Sequence, residues 1–273
     1  MNFDFELILF WATLITGLVV LIDALFFARA RKRKALTTEP FSEPKQSLIV
    51  EYSRAFFPIL LIVFFLRSFL YEPFRIPSGS LEPTLLQGDF ILTNKFDYGL
   101  RVPVWHKKFV KVGLPQHGDI VVFRWPPDPT YYFIKRVIGV PGDTVDYIDK
   151  VIKVNGKEMP QTMVSPGGNP ITINREGINV KVIEKEEDLF GIKHHIYQYP
   201  DKKGYNFQNI SVPEGMYLVM GDNRDDSADS RYWGFVPEQN IVGKAVMVWM
   251  SWNSQGSFGT DKIRWNRMGT WVH

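Results

Sequence analysis

The chain is predicted to be mostly β: an antiparallel-sheet body with a smaller β insert, preceded by two transmembrane helices. Three observations predict this. Two long apolar runs stand near the start of the chain and flank a Lys/Arg-rich loop. After residue 71 the apolar residues gather in short β-branched or aromatic runs, each bounded by Gly, Pro or Asp. No long segment of helical period competes with those runs.

The first apolar run, Leu7 to Ala28, is broken only by Thr13, Thr16, Gly17 and Asp23, and about 20 apolar residues span a bilayer. Its leading flank carries Asp4 and Glu6 and no Lys or Arg. A cleaved signal peptide would begin with a basic stretch and have a shorter apolar run, so an uncleaved anchor is expected. Asp23 is read as a carboxylate reaching the interface or a cation. A basic cluster follows (Arg29, Arg31, Lys32, Arg33 and Lys34), then a polar linker with Pro40 and Pro44. The second run, Ala55 to Leu70, is interrupted by Arg67 and Ser68 and is short for a span; a buried core helix is its alternative. The positive-inside rule places the loop 29–54 in the cytoplasm. Two spans then put the N-terminus and everything after residue 71 outside it.

In the body, Phe90–Asn94, Ile120–Phe123, Phe133–Ile138, Met216–Met220 and Ile241–Trp249 read as strands. Val151–Val154 alternates into Asn155-Gly156, a strong hairpin signal. The stretch 157–213 is more polar and turn-rich, with Pro-Gly-Gly-Asn-Pro at 166–170, and reads as an insert. The 273 residues suffice for one substantial domain with an insert and an anchor. The net charge of +3 is modest and no Lys/Arg stripe is interleaved with aromatics, so no nucleic-acid partner is expected. Cysteine is absent, which excludes disulfides, thiolate zinc sites and cysteine nucleophiles.

Three segments carry candidate chemistry. In Glu72-Pro-Phe-Arg-Ile-Pro-Ser78-Gly79-Ser80, the prolines hold the chain extended. Such a segment can receive a peptide as an added strand. Read alone, Ser78 and Ser80 would cap or solvate a turn. In Phe133-Ile-Lys135-Arg136-Val-Ile, the adjacent cations must face opposite ways. Burial would lower a lysine pKa and make it a general base for a serine; an edge strand with both charges solvated is the alternative. The third segment, Gly221-Asp-Asn-Arg-Asp-Asp-Ser227-Ala-Asp229-Ser-Arg231-Tyr-Trp-Gly234, is dense in Asp, Asn and Ser. It fails the calcium-loop pattern in either register, and a solvated turn is the plain reading. His106, His117, His194, His195 and His273 sit in no catalytic or metal motif.

Together these three segments resemble the bacterial type I signal peptidases, in the two-span form of Gram-negative bacteria. Pro77 to Leu85 is similar to the family's nucleophile box, Lys135-Arg136 with Gly142-Asp143 to its lysine box, and Gly221 to Gly234 to its last box, in the family's order. The resemblance is weakest in the basic loop and in 157–213. One departure is Leu81, where the family usually has Met; the change keeps size and polarity.

The resemblance implies a serine endopeptidase that removes signal peptides from preproteins after a small-x-small motif. It assigns Ser80 as nucleophile and Lys135 as general base. The Ser78 hydroxyl and the Ser80 amide are implied as oxyanion donors, and Ser227 as the hydroxyl that orients the lysine. Asp229 and Arg231 become a supporting pair. Phe74, Ile76, Pro77 and Ile134 become candidate walls for the substrate's small side chains. It implies neither metal nor cofactor. Expected partners are preprotein signal peptides, membrane lipid and a nearby secretion translocon. The expected location is the inner membrane, with the body on the periplasmic side. Expected divisions are anchors at 1–28 and 55–71, the cytoplasmic loop 29–54, a catalytic domain of 72–143 with 214–273, and an inserted subdomain at 144–213. Ser80 lies about ten residues past the second span, a tether of at most ~36 Å, and Trp249, Trp252, Trp265 and Trp271 are candidates to rest on lipid.

Overall fold

The structure is a computed structural model that describes residues 5–38, 46–103, 105, 107–175, 178–253 and 262–272. His106, His273, Asp4, Pro40 and Pro44 lie outside the described residues. The chain divides into two compact units, one reaching to Leu70 and including Arg101–Phe109, the other holding Tyr71–Leu100 and the chain from Val110.

The first unit is built on helices. Helix α1 (Phe5–Ile22) runs through a π turn at Asp23–Phe27 into α2 (Ala28–Thr38); α3 (Leu48–Phe65) ends in a second π turn at Leu66–Leu70. Both helical stretches are long and apolar enough to cross a membrane, and little of either is buried. A core helix would bury its apolar side chains; Ile15, Leu21, Ile59 and Ile62 are instead more than half exposed. Gly17 lets α1 approach α3, since a Cβ there would lie 2.7 Å from the Phe57 ring. Asp23 does find cations. It accepts from Arg31 Nη2 at 2.7 Å and from Arg54 Nη2 on α3 at 2.6 Å.

The second unit is β. Its early strands are β1 (Tyr71–Arg75), β2 (Asp89–Asn94), the ribbon of β3 (Leu100–Arg101) with β4 (Lys108–Val110), β5 (Ile120–Arg124) and β6 (Tyr132–Gly139). Next come β7 (Thr144–Ile148), β8 (Val151–Val154), β9 (Lys157–Glu158), β10 (Gln161–Met163), β11 (Ile171–Arg175), β12 (Ile178–Leu189), β13 (Ile192–Gln198) and β14 (Phe207–Ser211). The last are β15 (Met216–Met220), β16 (Val236–Pro237), β17 (Ile241–Ser251) and β18 (Thr270–Trp271), with a single helical turn, α4 (Ser230–Trp233), between β15 and β16. The main sheet runs β1-β2-β17-β5-β6-β15-β16, with β18 on β17. Two further sheets, β10-β12-β11 with β13 on β12, and β14-β7-β8-β9, come from the middle of the chain.

The unbroken apolar run of β5 has a physical reason. Ile120 and Val122 enter one buried cluster and Val121 and Phe123 another, so this part of the sheet is covered on both faces. Asn155 and Gly156 both take positive φ, 52° and 76°, and close the β8–β9 hairpin as their sequence predicts. The polar middle stretch holds β12, 12 residues long and paired on both edges.

Candidate active site

Strand β6 lies between β5 and β15, with Lys135 opposite Val121 and Arg136 opposite Ile120. The edge-strand alternative is therefore overturned. Both cations are buried, Lys135 at 4% exposure and Arg136 at 0%. Alternation sends them to opposite faces.

On one face, Lys135 Nζ donates to Ser80 Oγ at 2.5 Å. Burial lowers the amine's pKa to about 8, against the opposing pull of the Asp229 and Asp222 carboxylates and with help from Arg231. The Phe133 ring centroid lies 5.8 Å from Nζ, part of the apolar surround.

Ser80 is held in a compact turn. The Glu82 amide bonds Gly79 O at 3.1 Å, and Leu85 N bonds Leu81 O at 2.9 Å. Leu81 and Leu85 are buried beneath it with Ile76. The Ser78 hydroxyl is 3.5 Å from Ser80 Oγ. Of the candidate wall residues, Phe74 is half-buried with its ring 5.2 Å from that of Tyr132, and Pro77 is exposed. Ile76 and Ile134 sit in the same buried cluster, at 2% and 9% exposure.

The loop after β15 is not a solvated turn. Asp222, Asn223 and Asp229 are fully buried, because their partners come from distant parts of the chain. Asn223 N reaches Ser80 O at 3.1 Å, and Asn223 Nδ2 reaches Gly79 O at 3.1 Å. Asp222 receives Arg136 Nε and Nη2, both at 2.8 Å, and the Thr84 hydroxyl at 2.5 Å. Burial pushes the Asp222 pKa up, but the Arg136 charge and hydrogen bonds outweigh it and the group is lowered. Asp229 accepts from Arg231 Nε at 2.8 Å and Nη2 at 2.7 Å, and from Gly221 N at 3.0 Å. A Cβ on Gly221 would collide with Ser80 O and the Ser227 side chain. Ser227 is buried, yet its hydroxyl has no hydrogen-bond partner among the described residues.

Sequence reasoning missed several of these contributors. Asn223, Thr84 and Asp222 fall inside the recognised boxes but gave no sign of their partners. Arg175, in the insert, gave none at all; it pairs with Glu82 at 3.0 Å and with Asp226. Arg224, Glu187 and His194 form a further buried ionic cluster, with Arg224 Nη1 2.7 Å from Glu187 Oε1 and His194 Nε2 3.3 Å from Glu187 Oε2. No histidine is hydrogen-bonded to Ser78 or Ser80 among the described residues. Among the described residues no group of three or more His, Cys, Asp or Glu is placed to hold a metal.

Residues 49–252 match the model of the signal peptidase, peptidase S26 family. The chain belongs to that family. Its relatives carry one particular name. Signal peptidase I of Pseudomonas fluorescens is 44% identical over 275 residues, covering 92% of this chain and 94% of its own. Signal peptidase I of Pseudomonas aeruginosa is 43% identical over the same shares. That of Haemophilus influenzae is 34% identical, covering 89% of this chain and 82% of its own.

Proposed function

We propose that this protein is a membrane-bound serine endopeptidase that removes N-terminal signal peptides from exported preproteins, after a small-x-small motif, with a Ser80–Lys135 dyad. The observation that carries the reading is the 2.5 Å contact between Lys135 Nζ and Ser80 Oγ, with the amine buried and its pKa lowered to about 8. A neutral amine accepts the Ser80 proton as Oγ attacks the scissile carbonyl. The lysine then gives that proton to the leaving amine, and water resolves the acyl-enzyme with Lys135 again as base.

In this reading the Ser80 amide and the Ser78 hydroxyl receive the oxyanion; losing one such donor typically costs ~10²–10³ in turnover. Ser227 is the orienting hydroxyl, supported by its burial against Gly221 beside the Ser80 carbonyl. Asp229 and Arg231 support the loop without moving protons. Phe74, Ile76, Pro77 and Ile134 wall the shallow apolar pockets for the small side chains, and β1, which ends the main sheet, offers an edge to an extended peptide.

The remaining proposals concern setting. The anchors and the basic loop 29–54 place the body on the periplasmic side of the inner membrane, near lipid and the secretion translocon. The exposed Trp265 and Trp271 support contact with lipid. Residues 72–143 and 214–273 form the catalytic domain, with 144–213 as its insert.

The test is cleavage of a preprotein in detergent by wild type, Ser80→Ala and Lys135→Ala. Wild type cuts after the small-x-small site, and both variants, still folded, lose at least about 10⁴-fold. Near-normal turnover by Lys135→Ala would refute the dyad.

A further inference from the structure

A cleft of about 400 Å³ opens beside the serine turn, with Pro77, Ser78 and Gly79 on one wall and Ile178, Val180 and Tyr199 on the other. Its size falls within the ~300–1,000 Å³ of ligand pockets. Ser78 and Gly79 immediately precede Ser80, so the cleft adjoins the reacting hydroxyl. Phe74, Ile76 and Ile134 are not among its lining residues. It is therefore distinct from the apolar surface proposed above for the residues before the cut, with only Pro77 shared.

The far wall belongs to the β11–β12 ribbon and is fastened to the serine turn by Arg175. Its guanidinium pairs with Glu82 at 3.0 Å, with the Tyr199 hydroxyl at 2.9 Å and with Asp226. A Cβ on Gly79 would collide with Arg175 and Glu82, so the glycine is what lets the ribbon approach. Side chains alternate along β12. Ile178 and Val180 therefore share the cleft face with the buried Val182, while Asn179 and Lys181 point the other way and are exposed. The cleft face at the end of the ribbon is apolar, and Ile178 is 67% exposed on it.

Building on the proposed Ser80–Lys135 activity, we infer that this cleft receives the substrate residues that follow the scissile bond, with Ile178 and Val180 as specificity-determining residues. A peptide whose earlier residues lie along β1 must leave Ser80 on its other flank, and this cleft opens there. Its charged lining groups, Arg175 and Asp226, already neutralise one another, so the wall offers apolar contact and no net charge to the start of the mature chain.

The experiment uses the full-length protein in detergent and two preproteins that differ only after the cut, one beginning Ala-Ala-Ala and one Ala-Asp-Asp. The readout is the ratio of kcat/KM for the acidic substrate to that for the neutral one. Ile178→Lys raises the ratio about two- to fivefold, the size of an exposed ion pair. Val180→Lys, on the same face, does likewise and guards against a folding defect in the first variant. Asn179→Lys, which adds the same charge on the opposite face, leaves the ratio at the wild-type value. An unchanged ratio in both cleft variants, or an equal shift in Asn179→Lys, overturns the assignment. A wild type that cuts neither substrate overturns the proposed activity and this subsite with it, whereas normal wild-type cleavage with an unmoved ratio removes the subsite alone.

Discussion

Lys135 and Arg136 are neighbours on one strand, both cationic and both buried, yet the two faces of β6 treat them oppositely. Arg136 meets a carboxylate: its guanidinium forks onto Asp222 through two 2.8 Å bonds and spends a third nitrogen on Gly118 O at 2.8 Å. Lys135 meets a hydroxyl, and no carboxylate pairs with it among the described residues. Desolvation therefore dominates and lowers the amine to about 8. A buried cation with a matched anion becomes a structural tie. A buried amine with no matched anion becomes a base. The same strand serves both, because alternation separates the two environments by a single residue.

Exchanging the chemistry on the Lys135 face breaks the comparison most severely. Lys135→Arg keeps a cation in place but installs a group that does not deprotonate in proteins. Preprotein cleavage falls at least about 10⁴-fold, as far as in Lys135→Ala, if the lysine acts as a base. A cation that merely attracted substrate would be replaced by arginine with modest loss, so the two outcomes separate the roles.

On the opposite face the large effect is on stability. Arg136→Met leaves Asp222 buried with its main counter-ion gone, which typically costs about 3–5 kcal/mol. The urea midpoint falls accordingly. Adding Asp222→Asn recovers part of the loss, since the stranded charge is then removed even though the hydrogen bonds are not restored. If Arg136→Met unfolds at the wild-type midpoint, the ion pair is no tie and the contrast between the faces fails.

What the sequence made legible follows the range of the forces involved. Strands such as β5, β6 and β17 were readable because hydrophobic period and turn residues are local signals. The Asn155-Gly156 hairpin was readable because positive φ is a property of those residues. Lys135 was readable as a candidate base from its place in an apolar run, and Ser80 from the resemblance. The loop at 221–231 was not, and its Asp and Asn residues looked solvated. Their partners lie far away in sequence: Arg136 for Asp222, and the carbonyls of Gly79 and Ser80 for Asn223. Nothing local in a polar segment announces a partner more than 80 residues off. Arg175 was invisible for the same reason. The Ser227 hydroxyl shows the converse limit, since resemblance led to an expectation of contact with Lys135 and no partner is found for it among the described residues.

The smallest effect, and the one that sharpens the comparison most, is in the pH dependence. Lys135 is lowered from 10.5 to about 8 in the folded protein. If its neutral form is the base, kcat/KM rises with pH and levels off above about 8, falling roughly tenfold per unit below it. The same shift has a thermodynamic signature. Between about 8 and 10.5 the unfolded chain still holds the lysine proton that the folded chain has released, so folding gains stability as pH rises through that window. Below about 8 both states are protonated and the full cost of burying the cation is felt. Lys135→Met, which titrates nothing at this site, should therefore melt above wild type near pH 7, and the gap should narrow as pH climbs from about 8 toward 10.5. Arg136 gives no such signature, because its guanidinium is charged in both states across this range. Parallel melting curves for wild type and Lys135→Met at every pH would mean that the buried amine keeps its ordinary pKa, and the base would then have to be found elsewhere.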